Sequence, residues 1–81
     1  MKKLNAIIKK IDKDDTSIAL AGKINWTKKL RSLYPEKNIF ILYNLSSKYL
    51  DAKDIKNFTL IISKRKLKKI EKNKWKKVIV Y

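Results

Sequence analysis

Basic residues dominate the stretch from Ser63 to Lys77, which reads SKRKLKKIEKNKWKK. Nine of its fifteen residues are Lys or Arg, and Glu71 is its one acid. A solvated helix usually alternates Glu with Lys, because like charges three or four residues apart destabilise it. An uncompensated ridge of cations therefore indicates an external source of negative charge, and phosphate is the simplest one. The ridge residues that we predict to bind nucleic acid are Lys64, Arg65, Lys68, Lys69, Lys72 and Lys76.

The choice of cation predicts how the contact works. Of the 22 basic residues in the chain, only Arg31 and Arg65 are arginines. The guanidinium group of Arg can donate two hydrogen bonds to the edge of a base, whereas the ammonium group of Lys is a point charge suited to the phosphate backbone. We therefore expect sequence-tolerant binding whose affinity falls as salt rises. Trp75 is included in the nucleic-acid-binding set because it could stack on an unpaired base if it is exposed, although such tryptophans more often take a core position. Lys9 and Lys10 extend the predicted contact to the N-terminal helix.

A second set of polar residues follows the predicted strands. In a parallel sheet the loops after the strands gather at one edge, where unpaired N–H groups at helix starts attract anions. The predicted anion-binding residues are Lys23, Asn25, Ser46, Ser47 and Ser63. The alternative is that these residues only cap helices.

Residues for catalysis are scarce. The chain has no His and no Cys, which removes the commonest general base and the usual metal ligands. Gly22, its one glycine, is insufficient for a dinucleotide-binding or Walker loop. Asp12, Asp14 and Asp15 have the oxygens that Mg²⁺ prefers, but a solvated turn is the favoured interpretation. We expect no catalytic residue, no metal and no cofactor.

Size and charge limit the class of protein. A chain of 81 residues makes one domain, assigned to 1–81, and its net charge of +15 favours nucleic acid, anionic membrane or acidic protein as partner. An AT-rich genome, in which Lys codons abound, is the alternative source of the charge. No secretory signal and no run of about 20 apolar residues is evident, so we expect a soluble cytoplasmic protein.

Hydrophobic periodicity predicts alternating helices and strands. Apolar residues at helical spacing predict an amphipathic helix over residues 1–13. Strands are predicted at SIALAG, NIFILYNL, FTLIIS and KKVIVY, with helices at WTKKLRSLY, SSKYLDAKDIKN and KRKLKKIEKNK between them. This alternation predicts an α/β fold, a small four-stranded and mainly parallel Rossmann-like or flavodoxin-like sheet over 17–81 with helices on both faces. The alternative is a partly open barrel with residues 1–21 as a hairpin.

The segment from Ser17 to Tyr81 resembles a group of small bacterial Rossmann-like domains of unknown function. The resemblance rests on SIALAGKINWTKKLRSLYPEKNIF, FTLIIS and the closing KKVIVY. Those domains have a Gly-Gly loop and a Ser-His pair, whereas this chain has Ala21-Gly22 and Ser63-Lys64 at the matching places. The resemblance implies the fold and no activity.

Two main functions follow from these patterns. The leading hypothesis is a small, non-catalytic nucleic-acid-binding accessory protein that contacts the phosphates of DNA or RNA. The alternative is a protein-interaction regulator or inhibitor, encoded for example by a phage or another mobile element, that docks on an acidic partner surface. Pairing of edge strands into a homodimer stays open. Membrane attachment is disfavoured because the N-terminal helix has no Trp or Phe on its apolar face.

Overall fold

The computed structural model describes residues 2–20, 36–43 and 55–81. The chain begins with helix α1 and continues through four strands, with two short 3₁₀ helices between the third and the fourth. Their bounds are α1 Lys2–Asp12, β1 Ser17–Leu20, β2 Asn38–Leu42, β3 Thr59–Ile62, the 3₁₀ helices Lys64–Lys69 and Lys72–Lys74, and β4 Lys77–Val80. The helix predicted at 26–34 and most of the one predicted at 46–57 lie outside the described residues.

Helix α1 follows directly from its apolar spacing. Leu4 and Ile11 are buried, and Ile7 and Ile8 are partly buried against the sheet. These positions at i, i+3, i+4 and i+7 form one helical stripe, as predicted. Because 2–12 is helical, the alternative of an N-terminal hairpin in an open barrel is wrong.

The four strands form one parallel sheet in the order β1-β2-β3-β4. The predicted four-stranded parallel α/β fold is therefore confirmed. The order is sequential, without the reversal that creates a ligand crevice in doubly wound sheets.

Each face of the sheet has its own core. On the helix face, α1 packs on β3 through Ile61, with Phe40 and Ile79 partly buried beside it. On the opposite face, called the 3₁₀ face, Ile55, Phe58, Trp75 and partly buried side chains of the 3₁₀ segment cover the sheet. The buried residues of that core are Ile39, Ile41, Ile55, Phe58, Leu60, Ile62 and Trp75.

Strand β3 is the buried centre of the sheet. All four of its residues are buried, as expected for a parallel strand covered on both faces. Strand β4 is an edge strand with exposed Lys77 and Val80, and Val80 is 41% exposed. Among the described residues, no helix has the length and apolar content to cross a membrane.

The predicted helix over 64–74 differs from the observed structure. Two 3₁₀ helices replace it, and the backbone between them is extended at Ile70, with φ −126° and ψ 161°. A short α-helix is marginal unless a broad apolar face packs, and residues 64–74 offer only Leu67 and Ile70 to the core. Leu67 and Ile70 still pack against the core, as predicted.

Candidate nucleic-acid interface

The cationic segment comprises the eight Lys and Arg residues between 64 and 76. Every one of them is exposed, while Leu67, Ile70 and Trp75 of the same stretch turn inward. This division between exposed and inward side chains has a simple cause. The three apolar side chains pack against the core, and burial of the charged ones would cost free energy. The eight residues are Lys64, Arg65, Lys66, Lys68, Lys69, Lys72, Lys74 and Lys76.

The 3₁₀ form arranges four of these cations in two columns. A 3₁₀ helix has three residues per turn, so residues i and i+3 stand one above the other, about 6 Å apart. Arg65 and Lys68 make one column, and Lys66 and Lys69 make the other. Each column therefore places two cationic residues on the same side of the segment.

Charge compensation within the segment is slight. Lys74 Nζ lies 3.2 Å from Glu71 Oε2, and both side chains are more than half exposed. An exposed pair of this kind contributes about 0–1 kcal/mol. No other cation of the segment forms an ion pair with a described residue. Within the described part of the chain, the positive field of this surface is therefore largely uncancelled.

Trp75 takes the core position, which removes it from the predicted nucleic-acid-binding set. Trp75 is 9% exposed and belongs to the buried core beneath the 3₁₀ segment. An aromatic ring must present a free face to stack on a base. Trp75 instead fixes the start of β4, and the neighbouring Lys76 N–H donates to the Phe58 carbonyl at 3.1 Å.

Lys9 and Lys10 are not joined to the cationic segment. They are exposed on α1, which covers the helix face, whereas the segment covers the 3₁₀ face. The sequence could not show this, because the two faces become distinct only when the strand order is known. The single continuous surface predicted for helix one and the 63–77 stretch is therefore divided by the sheet.

Of the predicted anion-binding residues, only Ser63 lies in the described part of the chain. Lys23, Asn25, Ser46 and Ser47 lie outside it. Ser63 follows β3 and lines a cleft of about 470 Å³ with Lys64, Arg65, Lys66 and Tyr81. Its side chain makes no cap hydrogen bond, and the following 3₁₀ helix has only six residues. Such a short helix does not supply an anion site at its N-terminus.

The acidic turn after α1 is built around the Asp14 carboxylate. It accepts hydrogen bonds from the Thr16 hydroxyl at 2.6 Å, the Thr16 N–H at 2.9 Å and the Ser17 hydroxyl at 2.9 Å. These bonds, Thr16 first and then Ser17, lower the pKa of Asp14, and the charge of Lys37 adds to the effect. The favoured interpretation of this stretch as a turn that caps β1 is confirmed. In the described ranges, no group of three or more acidic side chains is arranged for a metal ion.

Lys66 and Lys74 are exposed cations that the sequence prediction omitted. An α-helical wheel directs the outward ridge through Arg65, Lys68 and Lys72, which leaves Lys66 to one side. A helix with three residues per turn places Lys66 beside Lys69, so a prediction based on that period would have included Lys66 among the outward cations. The sequence does not separate this period from the α-helical one, because Leu67 and Ile70 lie three residues apart and share a face in both kinds of helix.

Comparisons with known proteins find no matching family model, no matching curated protein and no matching solved structure. The resemblance to small bacterial Rossmann-like domains stays a prediction.

Proposed function

We propose that this protein is a small, non-catalytic nucleic-acid-binding accessory protein that contacts the phosphate backbone through its cationic segment. The observation that carries the proposal is the exposure of eight cations within residues 64–76, of which only Lys74 has an acidic partner among the residues that the structure describes. A polyanion would supply the missing negative charge and release its counterions on binding.

The expected mode is independent of base sequence. Seven of the eight cations are lysines, which act as point charges rather than as forks for base edges. The buried position of Trp75 removes the stacking contact first expected of it, so backbone charge is the main source of affinity. The contact surface is restricted to the 3₁₀ face, without Lys9 and Lys10.

Fluorescence anisotropy with random-sequence oligonucleotides tests the proposal. We expect both DNA and RNA to bind at about 50 mM salt, with a steep loss of affinity by about 200 mM. The double variant Lys68→Glu with Lys69→Glu should weaken all sequences alike and reduce the slope of log affinity against log salt by about two.

The matched control is Lys9→Glu with Lys10→Glu, which changes the net charge by the same amount on the helix face. We expect the control to retain most of the affinity of the unmodified protein. Equal losses in both variants would show a diffuse effect of net charge, and no binding at about 50 mM salt would reject the proposed function.

A further inference from the structure

An apolar groove lies beside α1 on the helix face, away from the cationic segment. Helix α1 lies nearest to β1. The groove has a volume of about 340 Å³, and its apolar lining comes from Ile7, Ile11, Phe40 and Ile79. It therefore extends from the wall of α1 to the edge strand β4.

The groove exists because one helix is too narrow for the sheet. Three inter-strand spacings of about 4.8 Å separate the axes of β1 and β4 by about 14 Å. An α-helix with its side chains is about 10 Å wide. Helix α1 contacts β1 and reaches Ile61 of β3, and the described residues leave Phe40 and Ile79 only partly covered.

Lysines border this groove on both sides. Lys10 lies on the α1 wall, on the same helical stripe as Ile7, and exposed Lys3 precedes them on that stripe. Lys77 begins β4 on the other side and also lines the groove. Among the described residues of the lining, the one acid is Asp14, which already accepts three hydrogen bonds within its turn.

An apolar floor between two cationic rims fits an amphipathic helix with acidic flanks. Its apolar stripe would cover Phe40 and Ile79, and its carboxylates would meet Lys10 and Lys77. A nucleic acid has no apolar stripe for this floor. A second copy of this chain would bring another net charge of +15 to the same lysines, which opposes pairing.

We propose that this groove docks an acidic amphipathic helix of a partner protein. Docking would complete the layer of helices on the helix face and leave the cationic segment on the opposite face free. This proposal does not depend on nucleic-acid binding, because the two surfaces share no residue.

The test uses a synthetic peptide of about 14 residues, with leucines at i, i+3, i+4 and i+7 and glutamates elsewhere. Backbone amide NMR of the full chain is recorded during titration. We expect shifts centred on Ile7, Phe40 and Ile79. The double variant Lys10→Glu with Lys77→Glu should weaken binding at least tenfold, while Lys68→Glu with Lys69→Glu, of equal charge change, should alter it less than twofold.

Two control peptides separate the effect of the leucine spacing from the effect of the peptide's charge. One has the same composition with its leucines dispersed, and the other has lysine in place of glutamate; neither should bind the groove. Shifts confined to residues 64–76, or equal binding of the dispersed peptide, would overturn the proposal. Self-association through the groove, seen as concentration-dependent sedimentation lost in Ile79→Lys, would identify a second copy as the occupant and also overturn it.

Discussion

Asp14 and Trp75 show how single residues acquire their roles in this fold. The Asp14 carboxylate holds the turn between α1 and β1 through bonds to residues two and three positions away. Asp is typical of such turns because its side chain can accept from nearby backbone and hydroxyl groups. Trp75 gains its role from long-range packing instead, against residues of the 3₁₀ face.

The pKa of Asp14 gives a prediction about acid stability. Because hydrogen bonds from Thr16 and Ser17 lower this pKa in the folded state, the ionised carboxylate stabilises the fold above its usual pKa of 3.8. That contribution is lost as pH falls through the lowered folded pKa. Asp14→Asn should therefore lower the thermal unfolding midpoint at pH 7 more than at about pH 2.

Asp15→Asn is the matched control for this measurement. It removes the same charge from the same turn, and the carboxylate of Asp15 lacks the bonds that Asp14 makes. We expect a smaller change at pH 7. Equal midpoints for the two variants at both pH values would mean that the turn bonds do not stabilise the fold.

At the scale of elements, the sheet has one buried cluster on each face, and the cluster on the helix face attaches α1 to the sheet. Ile61 is the strand residue at the centre of that attachment. Ile61 is 0% exposed, lies in the fully buried β3 and packs against α1. The 3₁₀ segment has weaker anchoring, since its two helices contain no buried residue and depend on partly buried Leu67 and on Ile70 between them. Docking to the sheet, rather than intrinsic helix propensity, therefore sets its position.

Replacement of Ile61 tests the joint between α1 and the sheet. Ile61→Ala should lower the free energy of unfolding by about 2–5 kcal/mol, because a cavity remains in the buried layer. Urea unfolding followed by circular dichroism measures this change.

Val80→Ala is the comparison for Ile61→Ala, since Val80 is an aliphatic residue on the edge strand and 41% exposed. We expect a loss below about 1 kcal/mol there. A loss of similar size at both positions would contradict the assignment of Ile61 to the centre of the packing.

At the scale of the whole molecule, the net charge of +15 opposes compaction. Among the described residues, one group of cations lies on α1 and another on the 3₁₀ segment, on opposite faces of the sheet. This distribution limits repulsion between the groups and creates two surfaces with different partners in our proposals. One surface is mainly cationic, and the other combines lysines with an apolar floor.

Screening of this self-repulsion gives a prediction about salt. The thermal unfolding midpoint should rise between about 10 mM and about 300 mM NaCl, because the Debye length shortens. In Lys68→Glu with Lys69→Glu, the net charge falls by four, from +15 to +11, and the rise should be smaller. A midpoint that falls with salt in differential scanning calorimetry would show that ion pairs outweigh self-repulsion.

Within the described ranges, the sequence by itself determined α1 and the four strands, but not the 3₁₀ form of residues 64–74. The stripe of Leu4, Ile7, Ile8 and Ile11 specified α1, and continuous apolar runs specified buried strands, because burial in α/β folds leaves a periodic signal. Alternation of these elements was enough to predict a parallel sheet. The exposure of the lysines in the 63–77 stretch followed from the cost of burying charge.

Only the tertiary structure decided which surfaces share a face. The sequential strand order, which local periodicity does not contain, placed Lys10 and Lys77 around one groove and Lys68 on the other side of the sheet. It also buried Trp75, because its position depends on Phe58 and Ile62 from an adjacent part of the fold. Local propensity acts over one turn or one strand, so the sequence could predict the elements. Which residues share a surface depends on neighbouring strands that bring together residues far apart in the chain, so only the tertiary structure could show it.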